Sequence, residues 1–174
     1  VQLAPEAFTN AGSVGAYTFH ALSASSDIKS VSVKSPNPGE VLVTILSKTG
    51  NGVASEELID AVLEKLSEED VRPLTDQVSV QSAEIVNYSV EAVITVYSGP
   101  SSSVVETEAR AALDKFLDER HAIEKLVAVS GIYDALHVDG VKKVQLIHPT
   151  SDVVTTDEQA AYCNSKTISI VVDE

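Results

Sequence analysis

The chain is predicted to adopt an α+β fold: two small units, each a roughly three-stranded sheet covered on one face by two helices. Three observations point there. Short apolar alternations of strand period recur along the chain, helix-period stripes sit between them, and Pro- and Gly-rich turns separate the two. The resulting order is α-β-β-α-β followed by β-α-α-β-β, which is not the strict alternation of a doubly wound sheet. It divides the chain into a 1–12 N-terminal arm, a 13–85 central domain and an 86–174 C-terminal domain.

Taken in order, Val14, Tyr17, Ala21, Leu22 and Ala24 share a helix face in the Ser13–Ala24 stretch. Ile28 to Ser35 alternates Val31 and Val33 with polar residues, as a strand with one wet face does. Pro36-Asn37-Pro38-Gly39 turns the chain into a returning strand from Glu40 to Leu46, which carries Val41, Val43 and Ile45. After Thr49-Gly50-Asn51-Gly52, Ser55 is placed to cap a helix whose first turn holds Glu56 and Glu57. Its predicted buried stripe is Leu58, Ile59, Val62, Leu63 and Leu66. Arg72-Pro73-Leu74 is a joint, because Pro73 lacks a backbone donor and drives Arg72 out of helical geometry. A third strand near 76–84 completes the unit.

The second unit begins with a longer strand, about Asn87 to Tyr97, bearing Tyr88, Val90, Ala92, Ile94 and Val96 on one face. Gly99-Pro100 ends it. Ser103 and Glu106 form a predicted capping box for a helix through Val105, Ala109, Ala112, Leu113, Phe116 and Leu117. Ser130 opens a shorter helix to His137, Asp139-Gly140 turns into a strand from Val141 to His148, and Lys166 to Val172 is the last strand. The intervening Pro149 to Ser165 reads as a long polar loop. Each sheet is expected to leave one face and its edges open, and such edges invite pairing with another chain.

Composition narrows the function. Hydrophobic residues make up 44% of the 174, with 3 Phe, 5 Tyr and no Trp, so the core is aliphatic. Twelve Lys and Arg stand against 26 Asp and Glu, a formal charge of −14, which disfavours a nucleic-acid partner. No run approaches the roughly 18 apolar residues of a membrane span, and no basic-then-apolar leader is visible. The single Cys163 cannot form an internal disulfide. The chain starts at Val1 and holds no Met, which reads as a fragment or trimmed product.

The candidate chemistry is sparse. The histidines are His20, His121, His137 and His148, and His137 lies close to Asp139, an arrangement that a metal or acid–base pair would use. Position argues otherwise: a helix C-terminus at His137 favours a cation without further function. Cys163 has no Gly-rich elbow or local base to make it a nucleophile. Glu57, Asp60, Glu64, Glu68 and Glu69 recur on the outer face of an amphipathic helix, without the aromatic cleft of a glycosidase. Gly50-Asn51-Gly52 lacks the Lys and Ser/Thr of a phosphate loop. Asn87-Tyr88-Ser89 matches a glycosylation triplet but falls inside a predicted strand. These readings assign no catalytic, cofactor-binding or metal-binding residue.

Several phrases carry a resemblance. They are Gly15-Ala16-Tyr17-Thr18-Phe19-His20-Ala21-Leu22, Val31 to Val41 with its Ser35-Pro36-Asn37-Pro38-Gly39-Glu40 turn, and Glu69 to Ile85 with Arg72-Pro73-Leu74. Downstream come Gly131 to Val138, then Val141, Val144 and Gln159-Ala160-Ala161-Tyr162-Cys163. In this order, over nearly the whole chain, the sequence resembles the baseplate J-like proteins of contractile-tailed bacteriophages. The resemblance implies a non-enzymatic wedge subunit that joins neighbouring wedges into a ring around the hub, in a phage or prophage-derived particle. It implies as partners other copies of the J-like protein, an I-like tail protein and a gpW-like wedge component, with no nucleic acid and no membrane. It places the protein in the virion tail baseplate, and in the host cytoplasm during assembly, and it implies a missing N-terminal portion. Two rival readings stand beside it. A small acidic hydrolase requires a pocket with a perturbed titrating group, and a free-standing peptide or small-molecule binding module requires an apolar groove.

Overall fold

The structure, a computed structural model, describes residues 13–68, 71, 75–98 and 102–173. The predicted 1–12 arm, the Arg72–Leu74 joint, Glu69 and the Gly99-Pro100 strand stop lie outside the described residues. The elements are α1 (Val14–Ala24), β1 (Ile28–Lys34), β2 (Glu40–Ser47), α2 (Glu56–Leu66), β3 (Gln77–Ser82), β4 (Glu84–Val96), α3 (Ser102–Arg120), α4 (Val129–Leu136), β5 (Val141–His148) and β6 (Gln159–Val172). They form two three-stranded sheets, ordered β1-β2-β3 and β5-β4-β6, and each has two helices of its own. The fold is therefore α+β. Two compact units result: one holds the described residues up to Ile85 together with Thr156–Ala160, the other Val86–Thr155 with the chain from Ala161. A single boundary at 85/86 does not contain that return to the first unit.

In the first unit, α1 starts where the Ser13 side chain accepts from the Ala16 N–H at 3.1 Å, and α2 where the Ser55 side chain accepts from the Leu58 N–H at 3.3 Å. Both serines satisfy an otherwise orphaned donor of a first helical turn. β1 and β2 run antiparallel through the Gly39 turn, which holds φ at +81°. A side chain there would be strained and would approach the Thr75 carbonyl to 3.3 Å. β2 and β3 run parallel, so β2-α2-β3 is a helical crossover. Registers Val33–Val43 and Val43–Val80 put the valines of all three strands on one face. There they meet Tyr17, Ala21, Val62 and Leu66. The Tyr17 hydroxyl donates to Asp76 Oδ2 at 2.9 Å, fastening α1 to the entry of β3.

Three expectations need correction here. Val14 is 60% exposed, and Ala16 takes its place in the core. In α2 the enclosed residues are Val62 and Leu66; Leu58 and Ile59 pack at the margin and Leu63 is only half-buried. The far face of this sheet is not bare. Thr44 and Leu46 on it are buried, and the Gln81 side chain donates to Thr44 Oγ1 at 3.2 Å and to Glu158 Oε2 at 3.1 Å. Lys34 pairs with the same Glu158 and lies 3.5 Å from Asp157.

In the second unit β4 is the central strand, and its alternate residues Val90, Ala92, Ile94 and Val96 are buried. Against them lie Val105, Ala109, Leu113 and Leu117 of α3, spaced by one helical turn each, with Ile132 and Leu136 of α4. β5 pairs antiparallel to β4. On the other side the Glu84 N–H bonds the Glu158 carbonyl and the Asp173 N–H bonds the Val96 carbonyl, so β6 runs parallel to β4. Arg110 ties α3 to β6 by donating to the Ile168 carbonyl at 2.9 Å while holding Glu106 at 2.7 Å.

Helix starts and the last strand depart from expectation. Ser103 is already the second residue of α3, and Glu106 accepts from Arg110, which displaces the predicted capping box. α4 begins at Val129, not Ser130, and its first donor is met from 23 residues away, by Asp152 Oδ1 at 2.8 Å. β6 begins at Gln159, so the last seven residues of the expected loop are strand, with Ala160 and Ala161 fully buried. Upstream, Val127 and Val153 bridge two antiparallel segments, and Thr155 is buried with its hydroxyl donating to the Lys125 carbonyl.

Candidate interaction surfaces

The histidines singled out by spacing do not converge into a described metal cluster. His137 caps the C-terminus of α4, Asp139 lies in the following turn, and His148 ends β5 before a cis Pro149. Among the described residues no group of three or more His, Cys, Asp and Glu is placed to hold a metal ion. The histidine that meets Cys163's strand is His121, just past α3. His121 and Cys163 line a depression of about 200 Å³ with Asp114, Asp118, Tyr162 and Lys166.

The local chemistry there opposes nucleophilic use. His121 Nδ1 lies 2.8 Å from the Ala161 carbonyl, which can only accept, so Nδ1 carries its proton. The ring meets Tyr162 edge-on at 5.2 Å. Burial pushes the Cys163 thiol above its ordinary pKa, and its Sγ–H donates to the Ser165 carbonyl at 3.3 Å. A nucleophilic cysteine requires the opposite shift. Burial, with Cys163 nearby, also raises the Tyr88 phenol. Lys166 and Asp114, which both line the depression, form an ion pair.

The carboxylates of α2 divide their work. The Glu57 carboxyl is held below its usual range by its own backbone N–H and then by Ser55, as an acid at the start of a helix is. Glu68 pairs with Lys65 at 2.6 Å, and Asp60 and Glu64 face outward.

Sheet edges form part of the remaining surface. In their sheets β1, β3, β5 and β6 each have a strand neighbour on one side only. β5 exposes Lys142, Lys143, Gln145, Ile147 and His148, and lysines on an edge discourage indiscriminate pairing. Exposed apolar side chains include Leu126 ahead of α4, Tyr133 on α4, and Val171 and Val172 at the end of β6. No described helix is long and apolar enough to cross a membrane. Sequence reasoning named His121 without a partner and passed over Arg120, which lies over the Phe116 ring. The four-residue spacing of Phe116 and Arg120 is a legible signal for such a stack; the 40-residue reach from His121 to Ala161 is not.

Comparison with known proteins assigns both units. Residues 9–82 match the Baseplate J-like central domain and residues 88–170 match the Baseplate J-like protein C-terminal domain. The chain is 42% identical over 163 residues to Baseplate protein J of Escherichia phage P2, an alignment that takes in 94% of this chain and 54% of that protein. The chain thus spans about half the length of this relative.

Proposed function

The chain belongs to the Baseplate J-like family, and on that premise we propose that it is a structural component of a contractile phage-tail baseplate, in a virion or a prophage-derived particle. Within the baseplate it joins neighbouring wedges into the ring around the hub. Its partners are other copies of itself, an I-like tail protein and a gpW-like wedge component. It assembles in the host cytoplasm and ends in the tail. It acts through contact and not through catalysis.

The observation that carries this reading is the match of both domains in sequence, at residues 9–82 and 88–170, together with the 42% identical relative aligned over 94% of the chain. The terminal strands of both sheets agree with it, since an edge strand is the kind of element that pairs with a neighbouring subunit. The hydrolase reading finds no support at the His121–Cys163 depression, where the thiol is held protonated. Deleting the gene from the parent phage tests the proposal. Electron micrographs should show particles without baseplate-capped contractile tails, and co-expression of the full-length protein with the I-like protein should give a stable complex. Intact contractile tails in the deletion, or no such complex, would overturn it.

A further inference from the structure

We propose that Asn51 is a latent modification site, converted by water to aspartate and isoaspartate when the turn that carries it opens. Of the five asparagines, Asn51 alone is followed by glycine. Asn37 precedes a proline, whose nitrogen has no proton to lose, and Asn10, Asn87 and Asn164 precede Ala, Tyr and Ser. A following glycine leaves the next backbone nitrogen uncrowded by a side chain. That nitrogen can then close an imide ring on the asparagine carboxamide.

The turn both arms the pair and restrains it. It lies between β2 and α2, with φ at +60° for Gly50 and +98° for Gly52. Asn51 is exposed, and the Val53 N–H donates to its Oδ1 at 3.3 Å. This bond folds the carboxamide back towards the main chain and draws electron density from the carbon to be attacked. The attacking group is the one held back. Gly52 is buried, its N–H donates to the Thr49 carbonyl at 3.1 Å, and its carbonyl accepts from the Ser47 N–H at 2.8 Å. Ser47 also braces the closed turn, its buried hydroxyl accepting from the Thr49 N–H at 3.1 Å and lying 2.8 Å from Thr49 Oγ1. The Gly52 nitrogen reaches the carboxamide only after both of its peptide's hydrogen bonds have broken, a local opening of the fold.

The chemistry needs only water. Hydroxide takes the Gly52 amide proton, and the nitrogen's electron pair forms a bond to Asn51 Cγ. The Cγ–Nδ2 bond breaks, and ammonia leaves with a proton from water, which restores the hydroxide. A second water opens the ring. Entry at Cγ gives aspartate on an ordinary main chain, and entry at the Asn51 main-chain carbonyl gives isoaspartate. Nothing is oxidised or reduced, and the chain gains one negative charge. Isoaspartate carries the main chain through an added methylene before Gly52, which moves the Gly52 carbonyl away from the Ser47 N–H. Ser47 is buried, so its donor is then left unmet, at a cost that keeps the turn from closing again. Conversion is a lasting record of opening.

The site stands on the geometry of the first unit and not on the baseplate role, and the test uses the whole chain. The protein is incubated in mildly alkaline buffer, folded or unfolded in urea, and aspartate and isoaspartate at position 51 are followed by peptide mapping. The unfolded chain should convert about thirtyfold faster, the factor for releasing two ordinary hydrogen bonds. Ser47→Ala removes the brace without touching Asn51 or Gly52, and in folded protein should convert about fivefold faster than the parent, the factor for one such bond. Gly50→Ala strains the same turn where no atom lies within 4 Å of the added carbon, and should also accelerate conversion. In urea all three proteins should convert alike. Equal rates for the folded and unfolded parent would overturn the proposal. So would variants that convert no faster when folded, an acceleration that persists in urea, or product confined to other asparagines.

Discussion

Leu66 is completely enclosed while Leu63, on the same helix, is only half-buried, and this contrast fixes which face of α2 holds the unit together. Leu66→Ala is expected to lower stability by about 2–5 kcal/mol, as truncation of an enclosed leucine does. Leu63→Ala should cost clearly less, and Glu64→Ala should stay within about 0.5 kcal/mol, like other surface changes. Urea denaturation of the three variants checks the order. Gly131 gives a second contrast. Gly131→Ala overfills its contact with Phe116 and should destabilise by about 1–3 kcal/mol, an effect that Phe116→Leu should relieve in a double-mutant cycle. The sequence made the α2 stripe legible but not its centre. Periodicity reports the direction of a face, and only the partner strands decide which of five apolar residues lies deepest.

Elements were legible wherever local chemistry specifies them, and illegible where a distant residue finishes the job. The Ser55 cap and the alternation of Val90 to Val96 could be read directly. The start of α4 could not, because Asp152 supplies its cap from another part of the chain. Asp152→Ala should cost about 0.5–2 kcal/mol, as loss of a capping side chain does, and thermal denaturation will show it. The first part of β6 hid behind Asn164 and Ser165, exposed polar residues that are strand and not loop. The Glu158 cluster adds a pH dependence. Its carboxyl is held below the ordinary range, first by Lys34 and then by Gln81, while Lys34 is held above its own range, first by Glu158. A lowered carboxyl contributes stability above its unfolded pKa, about 4.3, that is lost as pH falls through the folded value. A raised ammonium contributes stability below about 10.4 that is lost as pH rises through its folded value. Glu158→Gln should therefore lower Tm at neutral pH and shrink its fall in acid. Parallel Tm curves for the two proteins from pH 3 to 7 would contradict this.

For the whole molecule, charge governs self-association. At −14, like copies repel, and contacts offered by two small units are modest, so the chain alone should scatter light as a monomer at about 10 μM in moderate salt. Ring closure by partners would raise the effective concentration of later contacts and offset that repulsion. A stable hexamer of this chain by itself would count against the expectation. The α+β class was legible from element order, as were the helices that cover each sheet. The parallel pairing of β2 with β3 and of β4 with β6 was not, because an apolar alternation records which face is buried and not which neighbour it meets.

The return of Thr156–Ala160 to the first unit has a consequence in time. Unit by unit, a chain ordinarily folds as it leaves the ribosome, the earlier unit first. Here the polar groups of Gln81 and Lys34 receive Glu158 only after synthesis has moved from Ile85 to beyond Ala160, an interval on the order of 4–15 s at typical elongation rates. Until then the first unit waits with one face unfinished, and the nascent chain that completes it has already traced most of the second.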